Sequence, residues 1–229
     1  MSGAYYSEND PFAAAWLRNL ISEGLIAPGD VDERDIALVQ PADLAGYGQC
    51  HFFAGLGGWS YALRLAGVPD GRPLWTGSCP CQKLSQAARG RNVAQDLWPA
   101  WFRLIAAARP SQVFGEQVAH ESGWVDRLCD DMESVGYQVG AAVLPAISVG
   151  ADHLRPRLFF GCYTDSDRKP GGAVDAEAPR LPWGNRVSGD VVCANGLPGR
   201  VAILRAFGNS IVPQVGAEFV AAWREVVGQ

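Results

Sequence analysis

The apolar positions of the chain fall into short blocks whose period changes repeatedly. Phe12, Ala13, Trp16, Leu17, Leu20 and Ile21 recur at helical spacing behind Asp10-Pro11. Aspartate there caps free N–H groups and proline suits a first turn, while Gly24 marks the stop. Positions 36–39 form a short apolar run of either type, and a turn-like stretch follows at 41–48. The compact run 50–54 then reads as a strand that ends at Gly55-Leu56-Gly57-Gly58, and helical spacing resumes over 59–65.

The same alternation continues downstream. Strands are predicted at 73–77, 111–114, 138–144 and 158–162, with helices at 97–108, 125–135 and 212–227. Between 164 and 199 the chain turns rich in Gly, Pro, Asp and Arg with little periodicity, as in a loop-like insertion or a very small subdomain. There is no internal repeat. Strands alternating with helices predict an α/β fold with a mostly parallel sheet.

Composition narrows this picture only a little. At 229 residues, 48% hydrophobic and 19% charged, the chain suits one well-buried domain with at most a small appendage. No apolar run approaches a membrane span and the polar Met1-Ser2-Gly3-Ala4 start is no signal peptide, so a soluble, cytoplasmic protein is expected. Six scattered cysteines do not make a disulfide scaffold. A net charge of −5 gives no general attraction to nucleic acid, so any DNA binding must come from a local cationic face.

Candidate chemistry gathers at the strand ends. The turn Phe53-Ala54-Gly55-Leu56-Gly57-Gly58 lets backbone approach a ligand closely, although a bland tight turn reads the same way. Cys79 and Cys81 flank Pro80; the three histidines at 51, 120 and 153 complete no standard metal spacing, and C-x-C is not the usual redox pair. A nucleophilic thiol in a loop of small residues fits better, and it needs a partner because few thiols are ionised at neutral pH. Glu116 sits where a strand is predicted to end, the edge at which parallel sheets bind ligands. Arg155 and Arg157 alternate before another strand. Taken singly, the acid also reads as a solvated loop residue and the arginines as surface charges.

Taken together and in order, these stretches resemble the C5-cytosine DNA methyltransferases. Phe53 to Gly58 is similar to the family's cofactor loop, and Gly77-Ser78-Cys79-Pro80-Cys81-Gln82 to its Pro-Cys-Gln catalytic motif. Gly115-Glu116-Gln117-Val118 resembles Glu-Asn-Val, and His153-Leu154-Arg155-Pro156-Arg157 resembles Gln-x-Arg-x-Arg. Gly208-Asn209-Ser210-Ile211-Val212-Pro213 resembles the late motif that completes the cofactor pocket.

The resemblance implies a Rossmann-like fold, S-adenosylmethionine as cofactor, double-stranded DNA as partner, no metal and no membrane. It implies Cys81 as nucleophile, Glu116 as the acid at N3, and Arg157 with Arg155 at the polar edge of a flipped cytosine. Cofactor contacts are expected from Phe53, Gly55, Gly57, Gly58, Leu97, Asn209 and Ser210, and DNA contacts from Gln82, Ser85, Arg89 and Arg91. Cys79 is expected to be inert packing. The rivals are a weakened DNA-binding relative, and a pyrimidine C5-modifying enzyme with another electrophile or a nucleotide substrate.

Three departures stand out. The family places two further cofactor elements between its glycine loop and its Pro-Cys-Gln motif, and here about two dozen residues are too few for them. Tyr5-Tyr6-Ser7-Glu8 resembles the acid-bearing strand end that holds the ribose, and Val31-Asp32-Glu33-Arg34-Asp35-Ile36 the next element. The expectation is a permutation within residues 1–48 that brings Glu8 and Asp32 to the cofactor; the plain alternative is a helical extension with surface acids. Gln117 and His153 stand where the family has Asn and Gln. The recognition-like region 164–199 is short, which suggests relaxed recognition by a monomer or help from a dimer. Residues 1–163 form the expected catalytic domain, to which 200–229 returns. The resemblance and the compactness suggest a solitary DNA modification enzyme, as of a phage or mobile element, within the wider setting of restriction-modification.

Overall fold

The computed structural model describes residues 3–80, 96–118, 122–164 and 210–227. They build one seven-stranded sheet: β1 (Ala4–Ser7), β2 (Gly29–Asp32), β3 (Gln49–Phe52), β4 (Leu74–Gly77), β5 (Gln112–Val118), β6 (Gln138–Pro145) and β7 (Pro156–Tyr163), in the order β2-β1-β3-β4-β5-β7-β6. The first five strands are mutually parallel, and β7 runs antiparallel to both β5 and β6.

Alternation along each strand sorts side chains to two faces. Tyr5, Cys50, Phe52, Trp75, Val113 and Phe160 meet Trp98, Trp101, Leu104 and Ile105 of α3 (Trp98–Ala108) and Leu128 and Met132 of α4 (Ser122–Ser134). On the opposite face Leu74, Phe114 and Phe159 pack against α2 (Gly58–Leu65) and α5 (Pro213–Val227), while Tyr6 meets Leu17 of α1 (Pro11–Ser22). Helices on both faces explain why β1, β3 and β4 are buried end to end. The expected α/β architecture is the observed one.

Local chemistry sets the boundaries. Asp10 caps α1 by accepting the Ala13 N–H, and the run at 36–39 becomes a short 3₁₀ turn, Ile36–Leu38, capped by Asp35. One expectation shifts: β5 does not stop before Glu116 but runs through Val118. Its full length pairs with β7, from Gln112 opposite Tyr163 to Val118 opposite Arg157. Glu116 is therefore a strand residue, held opposite Phe159.

His51 is buried between Thr76 Oγ1 at 2.8 Å and Gln49 Oε1 at 3.2 Å. Burial lowers its pKa to about 3, so it stays neutral and serves the core. Among the described residues no three His, Cys, Asp or Glu side chains group as a metal site, and no helix is long and apolar enough to cross a membrane.

Candidate active site

The register puts five positions in one row across the sheet: Asp32, Ser7, Phe52, Gly77 and Gly115. Everything that follows them leaves from the same carboxyl edge, where open parallel sheets bind ligands. The strand order also sets β2 and β1 beside β3, so the three strand ends expected to adjoin do adjoin.

Around the β1 and β3 ends lies a cleft bordered by Ser7, Glu8, Asn9 and Phe53 and by Arg34, Asp35 and Ile36. Pro80 and Leu97 complete it among the described residues. Glu8 Oε2 accepts the Gly55 N–H at 2.7 Å, and Oε1 accepts the Asp10 N–H at 2.9 Å. Burial raises the Glu8 carboxyl above its ordinary value, and those N–H donors offset part of the rise. Gly55 and Gly57 both have positive φ, at 54° and 80°. That backbone lets the glycine turn fold back over the sheet at little steric strain. Gly58 matters through proximity: a Cβ there would stand 2.8 Å from Ile211 Cγ1.

Asp32 is placed differently from expectation. It accepts the Tyr5 hydroxyl at 2.7 Å and pairs with Arg34 at 2.6 Å, and it is not among the described residues bordering the cleft. Burial works against its ionisation, but Arg34 and Tyr5 outweigh that and bring it to about 2. Besides Glu8, the acid that borders the cleft is Asp35, three residues on from Asp32. A rule that looks for acids at strand ends selects Asp32, because it cannot see the chain continue before turning back over the cleft.

The second group lies at β4, β5 and β7. Glu116 Oε1 pairs with Arg157 Nε at 2.9 Å, and Glu116 is 8% exposed. Burial pushes its carboxyl up; the charges of Arg157 and Arg155 and a hydrogen bond from Ser78 pull the other way. The Ser78 hydroxyl also accepts the Trp59 indole N–H at 3.1 Å. Arg155 donates to the Ser210 carbonyl at 2.9 Å, fastening the start of the final segment to the head of β7. Its φ of 33° places it in the left-handed region, a conformation that tends to gather at functional sites.

Gln117 ties β5 to the segment that follows β4. Its Nε2 donates to the Cys79 carbonyl at 3.0 Å and its Oε1 accepts the Val118 N–H at 2.9 Å. This anchors the backbone two residues before Cys81. Cys79 itself is buried in the aromatic core, as a packing residue would be. Cys81, Gln82, Ser85, Arg89, Arg91, Asn209 and nearly all of the recognition-like stretch lie outside the described residues.

The structure thus brings Glu8, Phe53 and Leu97 to one cleft, with Gly55 bonded to Glu8, and gathers Glu116, Arg157 and Arg155 in an acid–guanidinium cluster. Trp59 and Ser78 were invisible as partners in sequence, since nothing in a linear reading pairs an indole with a hydroxyl 19 residues away. The cleft mixes carboxylates with the flat apolar surfaces of Phe53, Ile36 and Leu97. That is the chemistry of a nucleoside site, where acids take vicinal hydroxyls and apolar walls take a ring.

The model of the C-5 cytosine-specific DNA methylase family matches residues 69–185, just over half of the chain. The type II methyltransferase M1.HphI of Haemophilus parahaemolyticus is 31% identical over 146 residues, which are 59% of this chain and 36% of that protein. The matched region thus spans little more than a third of that relative's length. A mutant of Spodoptera frugiperda DNMT2 superposes with a TM-score of 0.50 at 13% identity, covering 78% of this chain and 47% of that one. A candidate DNA modification methyltransferase from an Escherichia coli prophage gives 0.47 at 18% identity, covering 71% and 40%. At such identity the DNMT2 likeness speaks to fold alone, and it agrees with the Rossmann-like arrangement of the sheet.

Proposed function

Because the chain belongs to the C-5 cytosine-specific DNA methylase family, we propose that it methylates C5 of cytosine in double-stranded DNA, with S-adenosylmethionine as methyl donor and Cys81 as nucleophile. The observation that carries the reading is the pairing of buried Glu116 with half-buried Arg157 beside the loop that leads from Ser78 to Cys81. A buried acid held by a half-buried guanidinium, at the edge where the loop departs, suits an acid that acts on a base and not one that merely solvates a surface.

The chemistry requires such a pair. C5 of cytosine is a poor nucleophile, and the Cys81 thiolate activates it by forming a bond to C6. Electron density then gathers at N3, where Glu116 delivers its proton; a positioned acid of this kind contributes roughly a hundredfold or more. Burial raises the Glu116 carboxyl above its ordinary value, which favours its taking up a proton, while Arg157 and Arg155 pull the other way. Arg157 orients the carboxyl, with its remaining donors toward the polar edge of the base. S-adenosylmethionine supplies an electrophilic methyl group. After C5 has taken it, a base removes the C5 proton, the S–C6 bond breaks, and the N3 proton returns to Glu116. The base reaches this pocket only when flipped from the duplex.

The cleft fits the cofactor. Glu8 retains lone pairs for the ribose hydroxyls beyond its two N–H bonds. Phe53, Ile36 and Leu97 offer walls for the adenine, and Asp35 lies at its edge in place of Asp32. In this reading residues 1–48 supply the permuted cofactor elements, Asn209 and Ser210 close the pocket, and Gln82, Ser85, Arg89 and Arg91 meet the DNA.

Duplex DNA carrying 5-fluorocytosine tests the proposal in the presence of S-adenosylmethionine. Fluorine does not leave as a proton, so mass spectrometry should find a covalent adduct at Cys81. The adduct should persist in Cys79→Ser and vanish in Cys81→Ser. Cofactor binding without an adduct on varied DNA would overturn the assignment.

A further inference from the structure

We propose that Trp59 and Ser78 are positioning residues for Glu116, forming one hydrogen-bonded line from the helix behind the glycine turn to the acid that meets the base. The inference rests on the methyltransferase reading and extends it to two residues that no motif assigns. Trp59 lies in the first turn of α2, directly after Gly58. Its ring is buried, stacked on Phe114 at 6.5 Å and edge-on to Phe159 at 6.0 Å. Phe159 is the register partner of Glu116.

Direction follows from donor chemistry. An indole N–H can only donate, so at 3.1 Å the Ser78 hydroxyl must accept from it. The hydroxyl hydrogen is then left for Glu116, which shares a sheet face with its register partner Phe159 and whose carboxyl Ser78 helps to hold ionised. A hydroxyl bonded on both sides has little rotational freedom, and each bond polarises the next. Glu116 is consequently held by Arg157 from β7 and by Ser78 from the loop after β4. Ser78 stands three residues before Cys81, so one short side chain ties the acid to the loop that bears the thiol. Packing alone would be served as well by phenylalanine, which lacks the N–H.

The charged groups acting most strongly on Glu116 are Arg157 and Arg155, both from the β7 segment. Removing the Ser78 donor lets Glu116 hold its proton to higher pH. Single-turnover methyl transfer to duplex DNA should therefore show its alkaline limb moved to higher pH in Ser78→Ala. The maximal rate should fall roughly tenfold, as for loss of one hydrogen bond, with the KM for DNA unchanged. Trp59→Phe should move the limb the same way by less, and Ser78→Thr should keep the wild-type profile. Profiles unmoved in Ser78→Ala and Trp59→Phe, with only the melting temperature lowered, would overturn the inference; should Ser78→Ala not fold, the Trp59→Phe limb decides. An active wild type with unmoved limbs sinks this inference alone, whereas a wild type that transfers no methyl group sinks the methyltransferase reading and this inference with it.

Discussion

The carboxylate of Glu8 accepts the backbone N–H of Gly55 at 2.7 Å across 47 residues of sequence. The bond joins the end of β1 to the turn after β3, two strands that the chain visits far apart and the sheet sets side by side. The glycine turn is thus pinned by an acid from outside its own motif. A ligand that enters the cleft meets a turn already shaped, with less backbone freedom to lose on binding.

Replacing Glu8 should therefore act on the cofactor before it acts on the fold. Glu8→Ala is expected to weaken binding of S-adenosylhomocysteine about tenfold or more by calorimetry, as loss of hydrogen bonds to a charged group implies. The pH dependence gives a second readout. The folded-state pKa of Glu8 is raised, so the folded chain keeps that proton longer than the unfolded chain. Its ionisation therefore opposes folding: stability falls as pH rises from the ordinary glutamate range through the raised value. Glu8→Gln should flatten that fall in urea titrations, and an unchanged slope together with unchanged affinity would contradict the role.

Arg157 and Glu116 should prove unequal when removed singly. Arg157→Ala leaves a buried carboxyl without its ion-pair partner, and loss of about 3 kcal/mol is expected in urea denaturation. Adding Glu116→Gln to Arg157→Ala should recover much of that loss, because the charge needing a partner is gone. Activity should not recover, since an amide has no proton of suitable acidity for N3. A double variant as unstable as the single would show that the pair is not the source of the loss.

Much of the fold was legible because the glycine turn and the alternation of short strands with helices are local features that survive in a linear reading. Helix starts were legible for the same reason, since the Asp10 cap is a contact only three residues long. Two things were not. The antiparallel course of β7 depends on which strand it meets, so the extension of β5 past Glu116 could not be read from the β5 residues themselves. The second was Asp35, whose position over the cleft depends on a turn shaped by its own bond to Ala37. Hydrophobic period reports which face a residue takes, and it says nothing about where a polar loop lands.

Asp32 and Asp35 should therefore separate stability from binding. Asp32 is lowered to about 2 by Arg34 and Tyr5 against the opposing effect of burial. A carboxyl with a depressed folded pKa stabilises above its ordinary value near 4, and that contribution is lost as pH falls from about 4 to about 2. Asp32→Asn should lower stability above about pH 4 and flatten the fall between about 4 and about 2, while leaving cofactor affinity within about twofold. Asp35→Ala should do the reverse, with affinity reduced roughly tenfold and acid unfolding little changed. If Asp32→Asn abolished binding at full stability, the strand-end acid would be the cofactor ligand after all.

Gly58 and Ile211 should be coupled, because the first leaves room for the second. A methyl group at Gly58 would stand 2.8 Å from Ile211 Cγ1, and Ile211 is buried at the start of the segment that Arg155 fastens through Ser210. Gly58→Ala should cost about 1–3 kcal/mol by overpacking. Ile211→Ala alone should cost about 2 kcal/mol or more by leaving a cavity. Combined, the two losses should be clearly less than additive in denaturant titrations, since the smaller side chain accommodates the new methyl. Strict additivity would mean that the final segment does not rest on the glycine turn, and that the cleft closes by some other contact.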